Sequence, residues 1–165
     1  KIGNQTISAQ YLTTNNETPN DGELFGLKAT GPLGISNLGY LIAFNSNTKN
    51  GDANLGTGAG TTDTAFTAMP VNGGGVPSRA NTDTLVGGVV LPINDITTIG
   101  YVGSSWSDGG LGDVTAVGAM AIYPINKNLL IKANYEHVET EYTIPFAGIV
   151  DENTDVTRVY LAYKF

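Results

Sequence analysis

The chain contains no cysteine, one histidine, one tryptophan and only 14% charged residues. The absence of cysteine excludes disulfide frameworks and thiolate metal sites. No apolar run approaches the roughly 18 residues of a transmembrane helix, and no stretch has the pattern of a long amphipathic helix. Lys1 to Gln10 lacks the apolar core of a signal peptide, so we expect an exported protein in mature form or a piece of one. The formal charge of −7 argues against nucleic acid as a partner.

What the sequence does contain is glycine, 22 residues in 165, and short stretches in which apolar and polar residues alternate. The clearest is Val156 to Phe165. A period of two places its alternate residues on opposite faces of a strand. No helix is available to cover the apolar face, so we expect lipid to cover it, as in outer-membrane barrels. The alternative is an edge strand that happens to stop at Phe. The apolar face carries Thr157, Val159, Leu161, Tyr163 and Phe165.

Period-two stretches and turn residues predict eight strands, and therefore an all-β chain. Short turns containing proline join strands two and three, four and five, and six and seven, whereas the other connections are longer: 13–23, 46–81, 107–113 and 140–155. Short turns at one rim and long loops at the other are typical of outer-membrane barrels. We therefore predict a transmembrane antiparallel up-and-down β-barrel. The predicted strands are Gln5 to Leu12, Leu24 to Thr30, Ile35 to Asn45, Thr82 to Leu91, Ile96 to Trp106, Val114 to Tyr123, Leu129 to about Glu139, and Val156 to Phe165.

The loop 46–81 is rich in glycine, threonine and asparagine, and it lacks the lysine and helix of a phosphate-binding loop. Within it, Ala65 to Val71 is more apolar than an exposed loop requires. We expect the loop to be extracellular or to enter a pore; its apolar stretch either folds inward or packs on a neighbouring subunit.

The inferred inward side chains are too small to fill a closed eight-stranded barrel, whose interior is just wide enough for its own side chains. They include Ser8, Gly26, Gly39, Gly100, Ser104 and Ala162. An interior that cannot be packed holds water more readily, which favours a wider pore with strands beyond these eight. The predicted pore-lining residues are Lys28, Asn37, Lys132, Asn134, Glu136 and Arg158.

The lone histidine, His137, lies near Glu136 and Glu139 and is the candidate for a membrane-embedded hydrolase; the alternative is a polar ring at the membrane edge. Carboxylates are numerous in the loops and could attract cations or hold a divalent cation if several converge, although none has calcium-loop spacing. Aromatic girdles at the membrane interfaces are expected from strand-end aromatics. These are Tyr11, Tyr40, Tyr101, Tyr123, Tyr135, Tyr163 and Trp106.

Scattered short matches resemble the major outer membrane porins of the Campylobacter type. They are Gly22 to Ala29, Ser78 to Thr84, and the ending Asp155 to Phe165. The resemblance implies a homotrimeric, cation-preferring general porin with more strands than eight, about 16–18, of which this chain is the C-terminal part. The N-terminal strands and acidic constriction residues of that family are absent, so its metal site does not transfer. Separately, the ending with Leu161, Tyr163 and Phe165 resembles the C-terminal signature by which bacterial outer-membrane proteins are recognised by the assembly machinery.

The sequence therefore predicts a non-enzymatic porin of a bacterial outer membrane, without a cofactor, which lets small hydrophilic solutes and ions pass through a water-filled barrel. A complete eight-stranded barrel that serves as an anchor or adhesion module without conductance is the first alternative. A hydrolase that uses His137 is the second.

Overall fold

The structure is a computed structural model that describes residues 4–14, 21–48, 51, 65–68, 79–107, 112–144 and 148–163. Within them the chain is all-β. Eight antiparallel strands form one up-and-down sheet in which each strand pairs with its neighbours in sequence. No helix of membrane-spanning length and hydropathy occurs in this part of the chain. The strands are β1 (Thr6–Thr14), β2 (Gly22–Pro32), β3 (Gly39–Asn47), β4 (Thr82–Ile93), β5 (Ile96–Ser107), β6 (Asp113–Pro124), β7 (Leu129–Ile144) and β8 (Gly148–Tyr163).

The sheet is open, because β1 and β8 form its two edges and do not pair with each other over the residues described. They run antiparallel, as the first and last strands of a meander with an even number of strands must. Each of these two strands is hydrogen-bonded to one neighbouring strand in the described sheet. Exposed edges of this kind are normally paired or covered in native proteins.

Side chains on the two faces of the sheet differ in exposure, and the alternation follows the period of two along each strand. We call the face that carries Leu24, Ala43 and Glu136 the buried face, since each of these side chains is almost inaccessible. The exposed face carries Ile7, Val102 and other large apolar residues, many of them about half accessible. As predicted, Ile7, Ala9 and Tyr11 lie on one side of β1 and Thr6, Ser8 and Gln10 on the other.

The two strands whose facing the sequence left open are resolved by the cross-strand register. Val86 of β4 and Ala116 of β6 lie on the buried face. An apolar cluster forms there because neighbouring strands place apolar residues opposite one another in register. Its members are Val86, Tyr101, Val114, Ala116 and Val138, and Leu41 and Ile99 pack against them.

The predicted facing of β5 is wrong. Tyr101 was expected in an aromatic girdle, with Gly100 and Ser104 inward, but Tyr101 lies on the buried face and the other two lie on the exposed face. The reason is Gly118, which pairs with Tyr101 in the register of β5 and β6 and leaves room for the ring. Apolar residues occur on both faces of β5, so the period of two alone did not distinguish them.

Two predicted boundaries are also wrong. β3 begins at Gly39 rather than Ile35, because 33–38 form a turn in which the Leu33 amide donates to the Leu38 carbonyl at 2.9 Å. Of the predicted long loop 140–155, residues 140–144 belong to β7 and residues 148–155 to β8. These two stretches are paired from Thr140↔Glu152 to Ile144↔Gly148. The acidic residues of this stretch indicated a loop, but their backbone continues the hydrogen-bonded pairing of β7 with β8. The expected alternation of short turns with long loops therefore depends mainly on one long loop, the connection between β3 and β4.

Candidate functional site

Five of the six predicted pore-lining residues share the buried face. Lys28 is in β2, Lys132, Asn134 and Glu136 are in β7, and Arg158 pairs with Asn134 across β7 and β8. Lys132 places its ammonium nitrogen 5.7 Å from the centroid of the Tyr160 ring on the neighbouring strand. The face therefore carries three cations and one carboxylate among the predicted residues.

Asn37 lies elsewhere. Because β3 begins at Gly39, Asn37 is an exposed residue of the turn 33–38 and is not on a strand. It belongs to the rim formed by the short turns, not to the wall of the sheet.

Glu136 is fully buried, and the Tyr101 hydroxyl donates a hydrogen bond of 2.8 Å to its Oε2 atom. Tyr101 of β5, Gly118 of β6 and Glu136 of β7 lie in one row of the sheet. The tyrosine ring crosses the glycine to reach the carboxylate two strands away. This hydrogen bond links β5 to β7 across β6 on the buried face.

Asn134 is the next residue along the buried face, and only 4% of it is accessible. Neither polar atom of its side-chain amide has a hydrogen-bond partner in the described part of the chain. Burial of such a group without a partner costs about 1–3 kcal/mol. Asn134 is thus an exception to the rule that buried polar groups are hydrogen-bonded.

Residues 65–68, which we call the inserted segment, pack on the buried face. The backbone amide and the hydroxyl of Thr67 both donate to Oδ1 of Asn45, at 3.0 and 2.9 Å. Lys28 places its ammonium nitrogen 4.4 Å from the centroid of the Phe66 ring, and Ala65 packs against Leu24. Three separate contacts thus hold part of the long β3–β4 connection against the sheet. The remainder of the predicted 46–81 loop, including Met69 to Val71, mostly lies outside the described residues.

The exposed face has an apolar band with a polar edge on the side of the β3–β4 connection. On β2 the outward residues Phe25, Leu27 and Ala29 are followed by Glu23 at this edge, and on β4 Leu85 is followed by Asp83. The four alternate outward positions from Leu85 to Leu91 on β4 span about 20 Å, comparable to the apolar band of about 25 Å on outer-membrane barrels. Contiguous apolar surface of this kind marks an interaction with lipid or protein.

Aromatic side chains lie at both ends of this band. The Tyr11 hydroxyl donates to Glu23 at 3.1 Å and the Tyr135 hydroxyl donates to Asp155 at 2.6 Å, so both rings point their polar end toward the acidic edge. This orientation suits the boundary between hydrocarbon and water. Phe25, Phe44 and Trp106 lie on the same side, and Tyr40, Tyr123 and Tyr163 lie toward the short turns.

His137 lies on the exposed face at the polar edge, beyond the apolar band. Its Nδ1 atom is 2.8 Å from Oδ1 of Asp155 and its Nε2 atom is 3.5 Å from Oε1 of Glu139. The hydrogen bond to Asp155 raises the pKa of His137, and attraction to both carboxylates adds to the rise. Hydrogen bonds from Tyr135 and His137 lower the pKa of Asp155. Both ring nitrogens face carboxylates, and no serine or threonine hydroxyl bonds to His137 in the described residues.

Carboxylates at the polar edge of the apolar band line an open concavity of about 480 Å³. They lie on three strands, and Glu141 pairs in register with both Asp113 and Asp151. No group of three or more histidine or acidic side chains is arranged to hold a metal ion within the described ranges. The divalent cation allowed for by the sequence therefore has no site among these residues. The carboxylates at the concavity are Asp113, Glu139, Glu141 and Asp151.

Several residues that shape the buried face were not predicted as site residues. Asn45 and Tyr101 are the main ones, and Thr84 and Ser105 share a buried hydrogen bond of 2.9 Å. A signal for Asn45 exists in the sequence, because an amide in an otherwise apolar strand needs a partner when buried. Nothing local identified Tyr101, since its position depends on a glycine in the next strand.

Of the predicted assembly signal, Leu161 and Tyr163 lie on the exposed face, and Phe165 lies outside the described residues.

Comparison with known proteins adds nothing to these observations: no family model, no curated protein and no solved structure matches the chain.

Proposed function

We propose that this chain forms part of a general diffusion porin of a bacterial outer membrane, which lets small hydrophilic solutes and ions cross passively. The observation that carries the proposal is the inverted distribution of side chains. Large apolar residues such as Ile42 and Leu161 are exposed, whereas Asn45, Thr84 and Glu136 are buried. A water-soluble sheet would place these two sets the other way round, and a barrel wall in lipid places them as found.

In this proposal the buried face is the wall of the lumen. Glu136 and Asn134 are buried within this wall and do not reach a passing solute. Lys28, Lys132 and Arg158 supply fixed positive charge on it. Side chains of this kind replace part of the hydration shell of a passing solute. The inserted segment stands on this wall and narrows the passage.

The open sheet supports a larger ring. A β-sheet that spans hydrocarbon must close into a barrel, and β1 and β8 do not pair with each other over the described residues. Additional strands of a longer chain, up to about 16–18 in all, would pair with both edges and surround a water-filled lumen. The proposed assembly is a homotrimer in the lipid bilayer, inserted by the outer-membrane assembly machinery through Leu161, Tyr163 and Phe165.

A complete eight-stranded barrel without conductance is the second candidate, and one observation favours it. The buried face already contains an apolar cluster around Val86, Tyr101 and Val138. If β1 paired with β8 of the same chain, such side chains would meet across a narrow interior and fill it. That molecule would serve as an anchor or an adhesion module.

Single-channel recording on the intact protein in planar bilayers separates the two candidates. A porin gives steady open-channel current, and Arg158→Glu shifts its reversal potential in a salt gradient toward greater cation preference. Lys127→Glu, a change of the same charge in the exposed turn 125–128, serves as control and is expected to have the smaller effect. Absence of any steady current would overturn the porin proposal in favour of the filled barrel.

A further inference from the structure

A small apolar cavity of about 160 Å³ lies between the inserted segment and the buried face. Phe66 and Ala68 line it from the segment, and Leu41, Val86, Tyr101 and Met120 are among the residues that line it from the sheet. Apolar atoms dominate this lining. An enclosed apolar cavity near 150 Å³ can accept a benzene molecule, and this partly open space is of similar size.

We propose that this cavity binds a small apolar molecule with a single aromatic ring. Two aromatic side chains, Phe66 and Tyr101, line the cavity and can meet a guest ring in edge-to-face or offset arrangements. The thioether of Met120 adds a polarisable surface that is favourable to aromatic rings. Burial of the ring removes apolar surface from water on both sides, which is the driving force for binding.

The inserted segment, which forms one wall of the partly open cavity, is held in place before any ligand arrives. Thr67 is bonded twice to Asn45, and Phe66 lies beneath the ammonium group of Lys28. A preorganised wall reduces the ordering cost of binding. Binding at this site is distinct from the proposed passage of hydrophilic solutes, because the cavity holds an apolar molecule against the buried face.

Binding of fluorobenzene, followed by ¹⁹F NMR on the intact protein in detergent micelles, tests the proposal without measuring current. Wild-type protein is expected to show a saturable change in chemical shift above the linear partition into micelles. Ala68→Leu fills the cavity from the inserted segment and is expected to weaken this component at least tenfold. Ala9→Leu makes the same change on the exposed face of β1 and is expected to leave it intact.

A second variant enlarges the cavity. Val90→Ala removes two methyl groups from its lining and is expected to shift the preference from fluorobenzene toward a fluorinated naphthalene. A purely linear partition in wild-type protein, or equal saturable binding by wild type and by folded Ala68→Leu, would overturn the proposal. Should Ala68→Leu fail to fold, an unchanged size preference in Val90→Ala overturns it as well. Each result is independent of whether the protein conducts.

Discussion

The Tyr101 hydroxyl reaches Oε2 of Glu136 at 2.8 Å by passing over Gly118, which separates the two residues in the sheet. The relationship depends on the absent side chain of the glycine. A Cβ atom added at Gly118 would lie 2.5 Å from the Tyr101 ring, which is closer than carbon atoms can approach. The contact between Tyr101 and Glu136 therefore depends both on the register of β5 with β6 and on the register of β6 with β7.

Gly118→Ala should consequently destabilise the protein by about 1–3 kcal/mol, the usual range for overpacking a filled site. Gly87→Ala on the exposed face is the matched control, because a Cβ atom there meets nothing within 4 Å. It should be neutral or slightly stabilising, since glycine weakens strands. Urea unfolding in lipid vesicles, followed by electrophoretic mobility, measures both variants. Equal effects of the two substitutions would contradict the ring-over-glycine arrangement.

The hydrogen bonds of Asn45 lead to a prediction about the inserted segment. Asn45→Ala removes the acceptor for both the amide and the hydroxyl of Thr67, and each donor that is left buried without a partner costs about 1–3 kcal/mol. We therefore expect the segment to leave the wall and the single-channel conductance to rise. Ser46→Ala, next along the same strand but on the exposed face, is the control. Unchanged conductance in Asn45→Ala would show that the segment does not narrow the passage.

The sequence predicted the strand count and the facing of β1, because apolar and polar residues alternate strictly from Thr6 to Tyr11. It failed where both faces are apolar, as at Tyr101, since the decisive fact is the register with Gly118 on another strand. It also failed at Asp151 and Glu152, where polarity indicated a loop but the backbone continues as a hairpin. Placement of Lys28 on the buried face followed from alternation, whereas its contact with Phe66 depends on a distant loop.

His137 and Asp155 predict a pH dependence of the β7–β8 hairpin. The pKa of His137 lies above its usual value of 6.5, so its contribution is fully present below that pH and is lost as the pH rises through the raised value. The pKa of Asp155 lies below its usual 3.8, so its contribution is lost only as the pH falls through the lowered value. The contact between His137 and Asp155 should therefore stabilise the β7–β8 hairpin most in mildly acidic solution, where the histidine is protonated and the aspartate is ionised.

Hydrogen exchange of the amides in 137–155, measured between about pH 4 and pH 8 after correction for the intrinsic rate, tests this dependence. Asp155→Asn should bring the pKa of His137, followed by NMR, back toward its usual value. Asp151→Asn removes an equal charge farther along the same strand, where it pairs with Glu141, and should change the pKa of His137 less. If the pKa of His137 were the same in the two variants, the contact between His137 and Asp155 would have no specific role in raising that pKa.

Val102 tests whether the exposed face meets lipid. It lies within the apolar band on β5 and 52% of it is accessible, so in a water-soluble protein Val102→Arg would be nearly neutral. In a bilayer the same change should cost about 2–4 kcal/mol, because arginine near the midplane must be solvated in hydrocarbon. Ile35→Arg in the turn 33–38, where the isoleucine is 67% accessible, should cost little in either environment. Comparison of the free energies of unfolding in vesicles separates these cases: equal, small losses would place this face in water and remove the basis of the membrane assignment.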